Sequence, residues 1–90
     1  MKCLNPDEAR ERLHALPGWE LLGNEIRKTY VFSDFKGSMV FVNRVADLAE
    51  AMDHHPDILI NYRRVTLTLT SHDSGGLTDR DFRLAGRIDG

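Results

Sequence analysis

An alternating segment, Val65–Thr70, constrains the fold of this chain more than any other feature. It reads V-T-L-T-L-T, so apolar side chains and threonines occupy alternate positions. Successive side chains of a β-strand point to opposite faces of a sheet, and the segment therefore predicts a strand with one apolar and one polar face. Because a shift of one residue would exchange the two faces, the register of this strand should be well specified.

Further helices and strands are predicted on both sides of this segment. They are, in order, a helix that Asn5 caps and Pro17-Gly18 ends, strands Trp19–Leu22 and Ile26–Phe32, a helix from Phe35 to about Met52, strands Ile58–Tyr62 and Val65–Thr70, and a last helix that begins in Thr78–Asp81. Strands that come in adjacent pairs are typical of antiparallel sheets. The sequence predicts an α+β fold of order α-β-β-α-β-β-α, with a largely antiparallel sheet and helices on one face.

Length and composition limit the function classes. Ninety residues predict a single domain, residues 1–90, for which oligomerisation would be a natural source of extra stability. The formal net charge is −2 and basic residues are scattered, so direct nucleic-acid binding is not expected. The single cysteine, Cys3, rules out a disulfide within these residues. Signal-peptide and membrane-spanning patterns are absent from the sequence, which predicts a cytoplasmic protein without membrane contact.

Three of the four histidines lie close together in sequence, as the pair His54 and His55 and then His72, which continues the alternate positions of the threonines. Histidine titrates near neutral pH and can both give and take protons. Pro56 limits where the preceding helix can end, so the pair is expected in the connection after that helix. The alternative is that some of them are ordinary surface histidines, but their spacing around a strand favours an acid–base site.

A metal site is not expected from these histidines. Side chains of adjacent residues diverge, whereas zinc-binding histidines are usually separated by two to four residues. Four carboxylates lie near the histidines in sequence and are candidates to assist proton transfer: Glu50, Asp53, Asp73 and Asp81. Glu50 and Asp53 could orient a histidine or be solvated charges near a helix end. Asp81 could be a helix cap or a partner of His72.

The residues around the histidines resemble those of the pterin-4a-carbinolamine dehydratases, also called 4a-hydroxytetrahydrobiopterin dehydratases. The resemblance is carried by E-A-M-D-H-H-P at 50–56, S-H at 71–72 and G-L-T-x-x-D at 76–81, and it extends over nearly the whole chain. Two positions depart from the family pattern. Ser71 stands where the family has threonine, and Ile58 stands where many members have an aromatic residue.

The resemblance implies a fold, a reaction and an assembly. Members of this family have a four-stranded antiparallel sheet with helices on one side and form dimers or tetramers. They remove water from the 4a-carbinolamine that is left when aromatic amino-acid hydroxylases use tetrahydropterin, and they produce quinonoid dihydropterin. They need no metal and no organic cofactor. A reduced pterin is therefore the expected substrate, and such a hydroxylase is a possible partner in the same pathway.

The resemblance also assigns the site. The family's three catalytic histidines map onto His54, His55 and His72, and we expect His54 and His72 to transfer protons while His55 holds the pterin. The expected substrate-binding residues are Glu50, Asp53, Pro56, Ser71, Asp73 and Asp81. Two other functions remain open. One is a non-catalytic module that stabilises a partner protein, as a vertebrate member does for a homeodomain transcription factor, and the other is a histidine-based metal site.

Overall fold

The computed structural model describes residues 2–90, and its elements follow the predicted order. They are α1 (Pro6–Leu13), β1 (Glu20–Leu22), β2 (Glu25–Val31), α2 (Phe35–Met52), β3 (Asp57–Asn61), β4 (Arg64–Leu69), a short 3-10 turn (His72–Ser74) and α3 (Asp79–Asp89). The strands form one antiparallel sheet of order β1-β2-β4-β3. The predicted α+β class and its element order are confirmed.

The two faces of β4 are those that the alternation predicts. Val65, Leu67 and Leu69 are fully buried, whereas the threonines between them are half-buried on the opposite face. On that polar face the hydroxyls of Thr29 and Thr66 are hydrogen-bonded at 2.9 Å, across the β2–β4 pair. One face of the sheet therefore carries the core and the other stays open.

All three helices contribute to the core on the apolar face of the sheet. The buried cluster joins Ala9 of α1, Val45 of α2 and Leu84 of α3 to the apolar residues of β4. The strand β3 lies at the edge of the sheet and all of its residues are exposed, including Leu59. This edge is therefore the least covered apolar part of the sheet.

Side-chain caps start the helices where the sequence predicts. Capping boxes are present at residues 5–8 and 78–81, and the Asp34 side chain accepts from the Gly37 N–H at 2.8 Å. The first helix ends earlier than expected, at Leu13 rather than near Leu16, because the following backbone bonds connect residues three apart and tighten the chain into turns. Leu16 is nevertheless buried.

The end of α2 is a turn that redirects the chain toward the protein interior. Asp53 adopts a left-handed conformation with φ 48°, which an aspartate tolerates better than most residues. The next N–H, of His54, donates to the Ala49 carbonyl at 3.0 Å, as in a Schellman motif. This turn decides which way the two adjacent histidines face.

The last turn of α3 is held to the sheet by one carboxylate. Asp89 accepts hydrogen bonds from Trp19 Nε1 at 2.8 Å, from Lys28 Nζ at 2.9 Å and from the Tyr30 hydroxyl at 2.5 Å. Burial acts to raise the pKa of Asp89, but the bonds from Tyr30, Lys28 and Trp19 lower it, and the net shift is downward. Burial and the bond to Asp89 raise the pKa of Tyr30.

Within residues 2–90, no helix combines the length and the apolar character needed to cross a membrane.

Candidate active site

The two histidine-bearing segments meet because of the antiparallel pairing of β3 and β4. Asp57, the first residue of β3, is paired with Thr68 near the end of β4. Residues just before β3 therefore lie beside residues just after β4. Between them is a cleft of about 270 Å³, which is lined by Asp53, His54, His55, Thr70, Ser71, His72, Asp73 and Arg80. All three candidate histidines line the same cleft.

His54 is the buried histidine of the three, with 7% of its surface exposed. Its Nε2 lies 2.5 Å from Oδ1 of Asp81, a carboxylate in the first turn of α3 that is fully buried. From the sequence, Asp81 could be either a helix cap or a partner of His72. The carboxylate does accept the N–H of Thr78 as a cap, and the histidine that it contacts is His54.

A second oxygen of Asp81 completes a buried polar network. Oδ2 accepts the Ser71 hydroxyl at 2.9 Å and the Thr78 backbone N–H at 2.9 Å. The hydroxyls of Ser71 and Thr78 are themselves 2.9 Å apart. Buried polar groups are costly unless they are hydrogen-bonded, and each side chain of this network has partners. The network fixes the Asp81 carboxylate, and through it the ring of His54.

His55, unlike His54, is solvent-accessible. Its Nε2 lies 2.5 Å from Oε2 of Glu50, and the two side chains are 55% and 77% exposed. Exposed contacts of this kind contribute little to stability. Glu50 therefore restrains an accessible imidazole at the rim of the cleft without burying it.

His72 does not continue the strand as its parity predicts, because β4 ends at Leu69 and His72 begins the 3-10 turn. It is exposed and lines the cleft. The neighbouring Asp73 accepts two hydrogen bonds from Arg80, at 2.9 and 3.1 Å, and these bonds hold the pKa of Asp73 below its ordinary value. The cleft thus presents the His72 imidazole next to a carboxylate whose charge is paired with Arg80.

The remaining candidate residues are divided between the cleft and its surroundings. Asp53, Ser71 and Asp73 line the cleft, whereas Glu50, Pro56 and Asp81 are not among its lining residues. Sequence reasoning missed two lining residues, Thr70 and Arg80, and also Thr78 of the buried network. Thr70 continues the threonine face of β4, which was a usable signal. Arg80 lies between the capping residues Thr78 and Asp81, and nothing in the sequence marked it as part of a site.

A larger cavity adjoins the cleft. Its volume is about 420 Å³, and it is lined by Leu22, Asn24, Glu25, Thr70, His72, Gly75 and Gly76. Thr70 and His72 line both spaces. A flat ligand held beside the histidines would therefore have room for a substituent that extends past His72.

Across residues 2–90, no group of three or more histidine, cysteine, aspartate or glutamate side chains is arranged to hold a metal ion. The groups that the cleft does offer are three imidazoles, two of them paired with carboxylates. Imidazoles that line one small cleft can give a proton to one atom of a ligand and take a proton from another.

Comparison with known proteins gives consistent matches over the full length. The sequence profile of the family described as "Pterin 4 alpha carbinolamine dehydratase" matches residues 2–90. A Sulfurisphaera tokodaii protein, provisionally named a pterin-4-alpha-carbinolamine dehydratase, is 49% identical over 89 residues, which are 99% of this chain and 96% of that protein. A Roseiflexus castenholzii protein with the same provisional name is 56% identical over 86 residues, 96% of this chain and 92% of the relative.

Two solved structures share the fold. A transcriptional coactivator/pterin dehydratase from Brucella melitensis superposes with a TM-score of 0.93 at 33% identity, over 98% of this chain and 96% of that chain. A pterin dehydratase-like protein, identified as a RuBisCO assembly factor in the alpha-carboxysome, has a TM-score of 0.64 at 22% identity, over 79% and 82% of the two chains. The second likeness concerns the fold alone.

Proposed function

Since this chain belongs to the pterin 4 alpha carbinolamine dehydratase family, we propose that it removes water from a 4a-hydroxytetrahydropterin to give quinonoid dihydropterin. Among the structural observations, the gathering of His54, His55 and His72 around one cleft carries the proposal. The reaction belongs to the recycling of the tetrahydropterin that aromatic amino-acid hydroxylases consume. Such a hydroxylase is the class of enzyme that supplies this substrate.

The reaction requires two proton transfers, and the cleft offers groups for both. The bond between C4a and its hydroxyl breaks, the N5–H bond breaks, and a C4a=N5 double bond forms. Hydroxide is a poor leaving group, so an acid must protonate the departing oxygen while a base accepts the N5 proton. Each positioned acid or base of this kind typically accelerates a reaction by about 10²–10⁴-fold.

We assign the proton transfers to His54 and His72, and the holding of the pterin to His55. Burial and the bond to Asp81 support the assignment of His54, because they hold its ring in one orientation. The exposed position of His72 in the lining of the same cleft supports its role as the second proton-transfer group. The exposed His55 lies at the rim with Glu50, where it can contact a planar ring that enters from solvent.

The test is the dehydration of synthetic 4a-hydroxytetrahydropterin, followed by ultraviolet absorbance. We expect rapid turnover by the wild-type protein and a rate close to that of buffer for the double variant His54→Ala/His72→Ala. His14→Ala is a matched control, since that histidine lies outside the cleft and its side chain is 78% exposed. A wild-type rate equal to that of buffer would refute the proposed function, and full activity of the double variant would refute the assignment of His54 and His72.

We also propose that the chain forms a homodimer or homotetramer. The edge strand β3 supports this, because Ile58, Leu59 and Ile60 are 36%, 64% and 36% exposed. An exposed apolar edge strand is a template for pairing with another chain. Should the dehydratase assay fail, the same edge is the place to look for a partner protein, which is the second function that the sequence leaves open.

A further inference from the structure

The two ring nitrogens of His54 have different surroundings. Nε2 is 2.5 Å from Oδ1 of the buried Asp81. Nδ1 has no hydrogen-bond partner among residues 2–90, and it is not among their fully enclosed, unpaired polar atoms. Since His54 lines the cleft, Nδ1 is the ring nitrogen through which it can act on a ligand.

The hydrogen bonds of Asp81 use its carboxylate as an acceptor. Its carboxylate receives the Ser71 hydroxyl and the Thr78 N–H on one oxygen and faces His54 with the other. It also lies in the first turn of α3, where the helix dipole stabilises negative charge. With both of its oxygens acting as acceptors in this network, the proton between Asp81 and His54 belongs to Nε2. Nδ1 of the neutral ring then carries a free lone pair.

We propose that Asp81 is a positioning residue that fixes His54 as the Nε2–H tautomer and so makes Nδ1 the base of the reaction. This inference rests on the proposed function and decides which histidine takes which role. Nδ1 accepts the N5 proton, and the buried carboxylate stabilises the resulting charge on His54. The electron pair of the N5–H bond forms the C4a=N5 bond, and the hydroxyl leaves as water with a proton from His72.

The network also dictates how an isosteric change would act. In Asp81→Asn, the amide oxygen should occupy the Oδ2 position, because Ser71 and Thr78 both donate there. The amide nitrogen then takes the Oδ1 position and donates to Nε2 of His54. Nε2 must become the acceptor, so the ring proton moves to Nδ1 and the base is lost. The side chain keeps its size, its cap and its hydrogen bonds.

The first measurement is the tautomer of His54 in ¹⁵N-labelled protein, read from long-range ¹H–¹⁵N spectra without any substrate. We expect Nε2–H in the wild-type protein and Nδ1–H in Asp81→Asn. Asp79→Asn is the matched control in the same helical turn, and it should leave the His54 signals unchanged. A wild-type ring protonated on Nδ1, or an unchanged tautomer in Asp81→Asn, would overturn the inference whatever the activity.

The second measurement is steady-state dehydratase kinetics. Asp81→Asn should lower kcat by about 10²–10⁴-fold, the contribution of one general base, with KM changed less than threefold. Ser71→Ala, which removes the hydroxyl, should lower kcat by a smaller factor. Ser71→Thr, which keeps the hydroxyl, should have a kcat close to that of the wild-type protein. If kcat of Asp81→Asn stays within twofold while the wild-type enzyme is active, the base role is wrong and the proposed function stands. An inactive wild-type protein would refute the proposed function and the base role together, although the tautomer result would remain valid.

Discussion

Replacement of Asp89 measures how much its carboxylate, which attaches α3 to the sheet, contributes to the free energy of unfolding. The side chain accepts three donors, from Trp19, Lys28 and Tyr30. In Asp89→Asn the amide oxygen can still accept from Trp19 and Lys28, and the amide N–H can donate to the Tyr30 oxygen. The number of hydrogen bonds is therefore kept, and only the negative charge is removed.

The expected cost follows from the difference between charged and neutral hydrogen bonds. Bonds to a charged group contribute about 1.5–3 kcal/mol each, and neutral ones about 1 kcal/mol. The Lys28 and Asp89 side chains are each 21% exposed, so solvent screens part of that difference. We expect the free energy of unfolding to fall by about 1.5 kcal/mol in Asp89→Asn and by about 3 kcal/mol in Asp89→Ala, where the acceptor is lost. For a chain of this size, the smaller value lowers the Tm by about 6–12 °C.

The stabilising contribution of Asp89 should depend on pH in a definite direction. The pKa of Asp89 is lower in the folded protein than its ordinary value. Its stabilising contribution is therefore fully present above the unfolded pKa of about 3.9 and is lost as the pH falls through the folded pKa. The stability difference between wild type and Asp89→Asn should be constant between about pH 5 and 7 and should narrow below about pH 4.

Urea unfolding at pH 7, 5 and 3 measures this difference, and Trp19, the single tryptophan, reports it by fluorescence from within the cluster. Asp7→Asn is the control, because the Asp7 side chain is 94% exposed and its one ion pair within residues 2–90 is with Arg10. A difference as large at pH 3 as at pH 7, or below about 0.5 kcal/mol at pH 7, would refute the argument. The dehydratase rate of Asp89→Asn should stay within twofold of wild type, since the carboxylate lies outside the cleft.

Two further predictions concern the rim of the cleft and the edge of the sheet. Glu50→Gln should raise KM less than about fivefold and leave kcat nearly unchanged, because an exposed pair with His55 contributes at most about 1 kcal/mol. Steady-state kinetics measure both constants, and a large fall in kcat would contradict the role given to His55. The double variant Ile58→Lys/Ile60→Lys should shift an oligomer toward monomer, because like charges would then oppose each other where β3 pairs with β3 of a second copy. Light scattering measures the mass, and an unchanged mass would place the interface elsewhere.

The parts of the fold that could be predicted from sequence are those that local signals determine. The alternation in Val65–Thr70 decided which face of β4 is buried, and the capping patterns at residues 5–8 and 78–81 placed two helix starts. The placement of His54 and His55 after a helix followed from Pro56. Each of these signals lies within a few residues of the feature that it predicts.

Contacts between distant segments could not be predicted in this way. Asp89 follows no local rule, because a carboxylate is unfavourable in the last turn of a helix. Its three partners lie 59 to 70 residues earlier in the chain. The unfavourable position was itself a signal that a partner must exist, although it could not say which residues supply it. The pairing of Asp73 with Arg80 was hidden for a related reason, since it depends on where the 3-10 turn meets α3.

The partner of Asp81 shows most clearly why side-chain roles in the site needed the structure. Antiparallel pairing of β3 with β4 was enough to bring His54, His55 and His72 to one end of the sheet. It did not say which of two adjacent histidines faces inward. That choice depends on the left-handed conformation of Asp53, which turns His54 toward α3 and leaves His55 in solvent. One backbone conformation thus separates a buried, fixed imidazole from an accessible one, and a substitution that removed it would exchange or lose both environments together.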